Sequence, residues 1–239
     1  MVNPSLERLV DTVHITISSG QCPHCYPGPV TTAEEAPRSR RRPRGDVRAG
    51  LVAAGVELAR AGGPDAVVLR EATRIVGVVP NAAYRHFADR DELLAEVCTA
   101  AMHELADRMA AGIARVRGKR GNPAAAQRRL GAIGAAYLEF ARAEPGLFAT
   151  AFAVPRQHEY AARDTTDRTP LGLLCAALDE LVEAGVLDPQ RREGIEYPIW
   201  SLVHGTAVLT GRGPLRDASD AELRRIEART LTFIAAGLA

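Results

Sequence analysis

Apolar residues return every three or four positions through most of this sequence, which is the spacing of amphipathic helices. The first such stripe predicts a helix over about 47–61, and Gly62-Gly63-Pro64 ends it. A short helix is predicted over about 69–76, and Pro80 begins the next one. A longer stripe predicts a helix that continues to about residue 115.

The remaining helix starts are marked by capping residues. Asn122, Thr169 and Asp188 each precede a proline, which suits the first helical position. Two further starts have the spacing of a capping box, Asp89 with Glu92 and Ser219 with Glu222. The later apolar stripes lie at about 130–141, 147–152, 171–182, 195–209 and 223–234. No βαβ unit or internal repeat is found, so the predicted fold is all-α.

Four regions follow from this pattern. Residues 1–37 are rich in proline and glycine and are expected to be a disordered extension. Residues 38–45 form a basic arm, 46–95 a domain of short helices, and 96–239 a helical bundle. Residues 155–168 are polar and are expected to form a mobile loop.

Composition narrows the class of protein. Hydrophobic residues make up 46% and charged residues 25% of the 239 positions, as in ordinary globular proteins. No apolar run is long enough to span a bilayer, and no secretory signal is found, so we expect a cytoplasmic protein. The net charge is only +1, yet residues 38–95 hold eleven basic and seven acidic side chains. This local excess of positive charge favours a polyanionic partner.

The segment 69–87 is a candidate helix-turn-helix. Its second helix has the width of a major groove and would present Asn81 and Ala82 to base edges. Further DNA contacts are expected from basic or hydrogen-bonding residues around it: Arg38, Arg40, Arg41, Arg42, Arg44, Arg70, Tyr84, Arg85, His86 and Arg90. The competing interpretation is a plain helical hairpin with a solvated charged face.

This segment resembles the N-terminal domain of the TetR family of bacterial transcriptional regulators. The likeness rests on Leu69-Arg70-Glu71, Gly77-Val78, Tyr84-Arg85-His86-Phe87, Arg90 and Leu93-Leu94, and it covers about residues 46–95. It implies that Arg70, Asn81 and Ala82 lie near bases, with Tyr84, His86 and Arg90 on phosphates.

Three positions depart from the family pattern. Thr73 replaces a usual alanine, and Ala83 replaces a larger apolar residue, which is expected to loosen the packing between the helices. Val79 replaces the usual Ser or Thr before Pro80, so the second helix is expected to lack a side-chain cap at a cost of about 1 kcal/mol.

The C-terminal half resembles the same family. Residues 137–152 resemble one family segment, and residues 200–205 match the Trp-…-His-Gly motif of a C-terminal class often called the WHG domain. The resemblance implies a homodimer built on the last two helices, a palindromic operator, repression, and an unknown small-molecule effector. Candidate effector-pocket residues are Tyr137, Phe140, Phe148, Phe152, Trp200 and His204. The alternative is that these are core residues.

Cys22 and Cys25 flank Pro23-His24 in a C-x-x-C arrangement. The residues that follow cannot start a helix, which argues against a thiol–disulfide oxidoreductase, and a zinc site lacks four well-placed ligands. A redox- or metal-responsive arm therefore remains an alternative to an inert extension. We find no catalytic constellation and no cofactor motif, so we expect no enzyme and no cofactor; a helical ligand-binding protein that does not bind DNA is the other alternative.

Overall fold

The computed structural model describes residues 44–154 and 169–238, with the side chains of 44–46 left aside. Every regular element in these ranges is helical, which confirms the predicted all-α fold for this part of the chain. The α-helices are α1 (Arg44–Gly62), α2 (Leu69–Val76), α3 (Pro80–Ala83), α4 (Arg90–Ala114), α5 (Pro123–Ala143), α6 (Pro145–Ala151), α7 (Pro170–Glu183), α8 (Glu196–Gly211) and α9 (Asp220–Leu238).

The helix ends follow the sequence cues closely. α2 has the predicted bounds, and Gly77 ends it in the left-handed conformation with φ 74° and ψ 35°. The side chains of Asp89, Asn122 and Thr169 each accept a backbone N–H of the first turn that follows. Asp188 instead caps only a 3-10 turn over Pro189–Arg191.

Two boundaries differ from the prediction. α1 begins at Arg44, three residues early, so the end of the predicted basic arm is helical. α8 begins at Glu196 and not at Pro189, because Gly194 has a φ of +76° that interrupts the helical path.

α4 is the central helix of the fold. It packs against α1, α5, α6 and α7. Leu93, Leu105 and Met109 of α4 are almost fully buried. Residues 42–239 form one compact unit, so the predicted boundary near residue 95 lies inside a continuous helix.

α1 and α6 approach each other very closely. A Cβ atom placed on Gly146 would lie 2.4 Å from the carbonyl oxygen of Ala59, so only glycine fits this contact. Beside it, Arg60 of α1 pairs with Glu104 of α4 at 3.0 Å and with Glu144, which precedes α6. The hydrogen bonds that Arg60 donates to these carboxylates raise its pKa. The N-terminal helices are therefore tied to the bundle by backbone packing and by charge.

Within the part of the chain described, no helix has both the length and the hydropathy required to cross a membrane.

Candidate DNA-binding surface and ligand cavity

α2 and α3 form a helix-turn-helix around a small apolar core. The backbone N–H groups of Gly77 and Val78 both donate to the carbonyl of Thr73, which closes the turn between the helices. Leu69, Ala72, Ala83 and Phe87 are buried beneath it. The guanidinium of Arg48 lies 4.9 Å from the centre of the Phe87 ring and holds α1 against this unit.

Most of the predicted DNA-contacting side chains in this unit face solvent. Arg70, Asn81 and Arg85 are exposed, Tyr84 is 61% exposed, and Ala82 and His86 are half-buried. They are therefore available to a partner, and their roles at bases and phosphates stay predictions.

Arg90 forms hydrogen bonds within its own chain, and its predicted phosphate contact stays a prediction. Its guanidinium donates to the carbonyls of Val67 at 2.9 Å and Pro64 at 2.6 Å. Asp91 and Asp65 also lie within 4.0 Å of it. Arg90 therefore fastens the start of α4 to the connection between α1 and α2, a contact that only the folded chain brings about.

The structure describes all three positions that depart from the family pattern. Val79 precedes α3 without any side-chain cap, as expected, and is 69% exposed. Ala83 is fully buried. Thr73 is also buried, and its hydroxyl donates to the carbonyl of Arg70.

Several predicted residues lie outside the description. Arg38, Arg40, Arg41, Arg42, Cys22 and Cys25 fall before residue 43, and only the backbone of Arg44 is described, as the first residue of α1. The predicted loop 155–168 also lies outside the described residues.

A cavity opens in the bundle between α5, α7, α8 and α9. Its volume is about 90 Å³, room for a small molecule but below the roughly 300–1,000 Å³ of a drug-sized site. Its lining residues are Met109, Gln127, Leu130, Gly131, Ile133, Gly134, Tyr137, Pro170, Leu174, Leu181, Val186, Ile199, Trp200, Val203, Leu231, Ile234, Ala235 and Leu238. No charged side chain is among them.

Tyr137 connects this cavity to a hydrogen-bonded group behind it. Its hydroxyl lies 2.8 Å from Nδ1 of His204, and a hydrogen bond with the side chain of Trp200 also reaches it. Burial raises the pKa of Tyr137 and lowers the pKa of His204. The phenol therefore keeps its proton and donates a hydrogen bond to Nδ1 of a neutral imidazole. The indole N–H, which can only donate, bonds to the phenol oxygen.

The six predicted pocket residues divide into three groups. Tyr137 and Trp200 line the cavity. Phe148, Phe152 and His204 form an aromatic cluster behind Tyr137, with ring centres 4.7–5.7 Å apart.

Phe140 lies apart from both groups. It is fully buried, and the guanidinium of Arg108 on α4 is 5.7 Å from the centre of its ring. The cavity ends at Tyr137, one turn earlier along α5, so Phe140 does not line it.

Two glycines of α5, and not only its aromatic residues, mark the cavity in the sequence. Gly131 and Gly134 line the cavity, and a Cβ atom on Gly134 would lie 2.5 Å from Leu231 of α9. Mid-helix glycine is unfavourable and here has a packing reason. The α9 residues of the lining could not be foreseen, because their apolar stripe fits a core equally well.

The chain has recognisable relatives. Residues 130–232 match the family model described as the tetracyclin repressor-like C-terminal domain. A protein of unknown function from Rhodococcus sp. RHA1 superposes with a TM-score of 0.64 at 23% identity, over 86% of this chain and 100% of that one. No curated protein matches the sequence.

Two candidate TetR-family transcriptional regulators have the same fold. The protein from Mesorhizobium loti MAFF303099 gives a TM-score of 0.58 at 15% identity, over 82% of this chain and 98% of that one. The protein from Shewanella sp. PV-4 gives a TM-score of 0.57 at 16% identity, over 81% and 98%. At these identities the likeness concerns the fold, while the WHG-type assignment stays a prediction.

Proposed function

We propose that this chain is a TetR-family transcriptional regulator, which the match of residues 130–232 to the tetracyclin repressor-like C-terminal domain and the shared fold support, and that it binds double-stranded DNA through α2 and α3. The family consists of transcription factors and not of enzymes, as the sequence led us to expect. The observation that carries the proposal is the exposure of Asn81, Tyr84 and Arg85 over a buried core. A plain helical hairpin gives no reason for hydrogen-bonding and basic side chains to be exposed together on one short unit.

The proposed active form is a homodimer. α8 buries Ile199, Val203 and Ala207 inside its own chain. On its other side Tyr197, Leu202, Val208 and Leu209 are 39–49% exposed, and Phe233 of the neighbouring α9 is 68% exposed. Two such faces can cover each other as a four-helix interface.

Dimerisation would present two recognition units to one DNA molecule. A two-fold axis between the chains places the units about 34–36 Å apart on one side of the duplex. The matching operator is an inverted repeat. A dimer that occupies an operator at a promoter would repress transcription, in the cytoplasm where bacterial DNA lies.

The proposed effector is a small, uncharged and largely apolar molecule in the α5–α9 cavity. A charged ligand would find no counter-charge among the lining residues and would lose its hydration. Hydrogen bonds are available from the amide of Gln127 and from the remaining acceptor site of the Tyr137 oxygen, both of which line the cavity. An apolar ligand with one or two polar atoms fits this chemistry.

Effector and operator can be coupled through α4. Met109 of α4 lines the cavity, and Arg90 at its other end is bonded to the α1–α2 connection. The two residues are about 28 Å apart along the helix. A ligand that favours one position of α4 shifts DNA affinity by its differential affinity for the two states.

Selection of bound fragments from random double-stranded DNA by the full chain tests this function. We expect an enriched inverted repeat whose half-sites are one helical turn apart. A purified, folded chain that enriches no sequence and retains no duplex at low salt would contradict the proposal and favour a ligand-binding protein without DNA affinity.

A further inference from the structure

The recognition unit carries an unusual amount of exposed apolar surface. Val79 is 69% exposed and Ile75 is 50% exposed, although the same unit buries Leu69, Ala83 and Phe87. Val79 also occupies a position where a hydroxyl or amide side chain would cap α3, and no side-chain cap is present. An apolar side chain therefore stands in water where a polar one would stabilise the helix.

The charge around this apolar surface fits DNA. Arg70 and Arg85 of the same unit are exposed, and neither forms an ion pair within residues 44–154 and 169–238. Arg74 is also exposed but is paired with Glu71 at 2.9 Å. A partner that covers Val79 and these arginines therefore needs negative charge at its edges and an apolar group at its centre.

The major groove of DNA offers this combination. Phosphates line its rim, and thymine is the base that presents a methyl group on the groove floor. Asparagine has the geometry to bond adenine at N6 and N7. α3 has the sequence Pro80-Asn81-Ala82-Ala83 and holds no arginine or lysine, the side chains that usually read guanine.

We propose that α3 reads A·T base pairs, with Val79 and Ala82 on thymine methyl groups and Asn81 on an adjacent adenine. The inference rests on the proposed DNA-binding function and specifies the operator. Arg85 then contacts a phosphate, while Arg70 of α2 reads a base outside these A·T pairs, as the family resemblance implies. In this arrangement the exposed side chain of Val79, which leaves α3 without a cap, contacts a thymine methyl group.

The decisive experiment removes only the thymine methyl group from the DNA. The inverted repeat enriched by the full chain is synthesised with uracil in place of thymine at each half-site A·T pair in turn. We expect at least one position where uracil weakens binding about threefold to fourfold per methyl group lost. Uracil at thymines outside the half-sites serves as the control and should leave the affinity unchanged.

The variant Val79→Ser tests whether Val79 is the side chain that contacts the thymine methyl group. Serine restores the missing helix cap, so the variant should unfold at a temperature equal to or above that of the wild type. Its affinity should no longer distinguish thymine from uracil at the position that Val79 reads. Asn81→Ala should lower affinity about tenfold and relax the preference for adenine at one position.

The outcomes separate the two proposals. Failure to enrich any repeat would overturn the proposed function itself. A repeat whose half-sites carry G·C at the selected positions, or a uracil effect that persists in Val79→Ser, would overturn the A·T assignment and leave DNA binding in place.

Discussion

The hydroxyl of Tyr137 on α5 lies 2.8 Å from Nδ1 of His204 on α8. The rings of Phe148 and Phe152 enclose this pair, and Trp200 reaches the same hydroxyl one helical turn before His204. The helices α5 and α8, which both line the cavity, are thus joined by one short polar contact in an apolar setting. Such a contact fixes their spacing, because separating them would leave a buried phenol and imidazole without partners.

Stability should depend on pH through His204. Burial lowers the pKa of this group below its ordinary value of 6.5, so the unfolded chain takes up a proton before the folded chain does. The contribution of neutral, buried His204 to the free energy of unfolding is therefore complete above about pH 6.5 and is lost as the pH falls below this value. Urea unfolding at about pH 7.5 and about pH 5.5 should show this loss in the wild type and a smaller loss in His204→Gln. Equal losses in both proteins would contradict the buried, neutral histidine.

Filling the cavity should abolish ligand binding without unfolding the protein. Gly131 lines the cavity, and a Cβ atom there would meet nothing within 4 Å. Gly131→Leu should therefore fold and should no longer bind phenol, a small uncharged probe, in a calorimetric titration. The matched control Gly131→Ala should retain probe binding and gain about 0.5–1 kcal/mol of stability. Full probe binding by Gly131→Leu would show that the cavity is not the site.

A charge on the outer face of α8 should separate the dimer. Leu202 is 39% exposed on one chain and would be covered in the proposed interface. Leu202→Glu would bury an unpaired carboxylate on both sides of the two-fold axis, at about 3 kcal/mol or more. Sedimentation equilibrium should then give one chain of 25.6 kDa in place of two. Ala61→Glu, at an exposed position of α1, should remain a dimer, and a dimeric Leu202→Glu would exclude this face as the interface.

Enlarging Gly146 should loosen the junction between α1 and α6. The new Cβ of Gly146→Ala would lie 2.4 Å from the carbonyl oxygen of Ala59 and 2.8 Å from that of Arg60. Backbone atoms cannot yield as a flexible side chain does, so we expect a loss of about 1–3 kcal/mol in unfolding free energy. Chemical denaturation measures this loss, and Gly131→Ala is again the control because it has open space. An unchanged stability of Gly146→Ala would contradict the close approach.

The helices were largely predictable because their local cues were consistent. Asp89, Asn122 and Thr169 cap their helices as their positions in the sequence indicate, and Gly77 ends α2 where expected. α8 shows where such cues fail. Asp188-Pro189 starts only a short turn, and the positive φ of Gly194 that separates it from α8 cannot be read from the pair alone.

The sites were predictable only in part. The exposure of Asn81 and Arg85 follows from their place in a short unit with an apolar core. The role of Arg90 could not be foreseen, because the carbonyls that it binds lie 23 and 26 residues earlier in the chain. Likewise Phe140 and Tyr137 are only three residues apart, and their different surroundings are set by the helices that pack on them.

The most direct test of DNA binding by the α2–α3 surface is the salt dependence of affinity for the selected repeat. Fluorescence anisotropy should show that log affinity of the wild type falls steeply and linearly with log salt. Arg85→Ala should reduce this slope by about 0.9 for each phosphate contact that is lost. Lys119→Ala, an exposed substitution between α4 and α5, should keep the wild-type slope. Equal slopes for Arg85→Ala and the wild type, or a wild-type affinity that does not change with salt, would contradict the account.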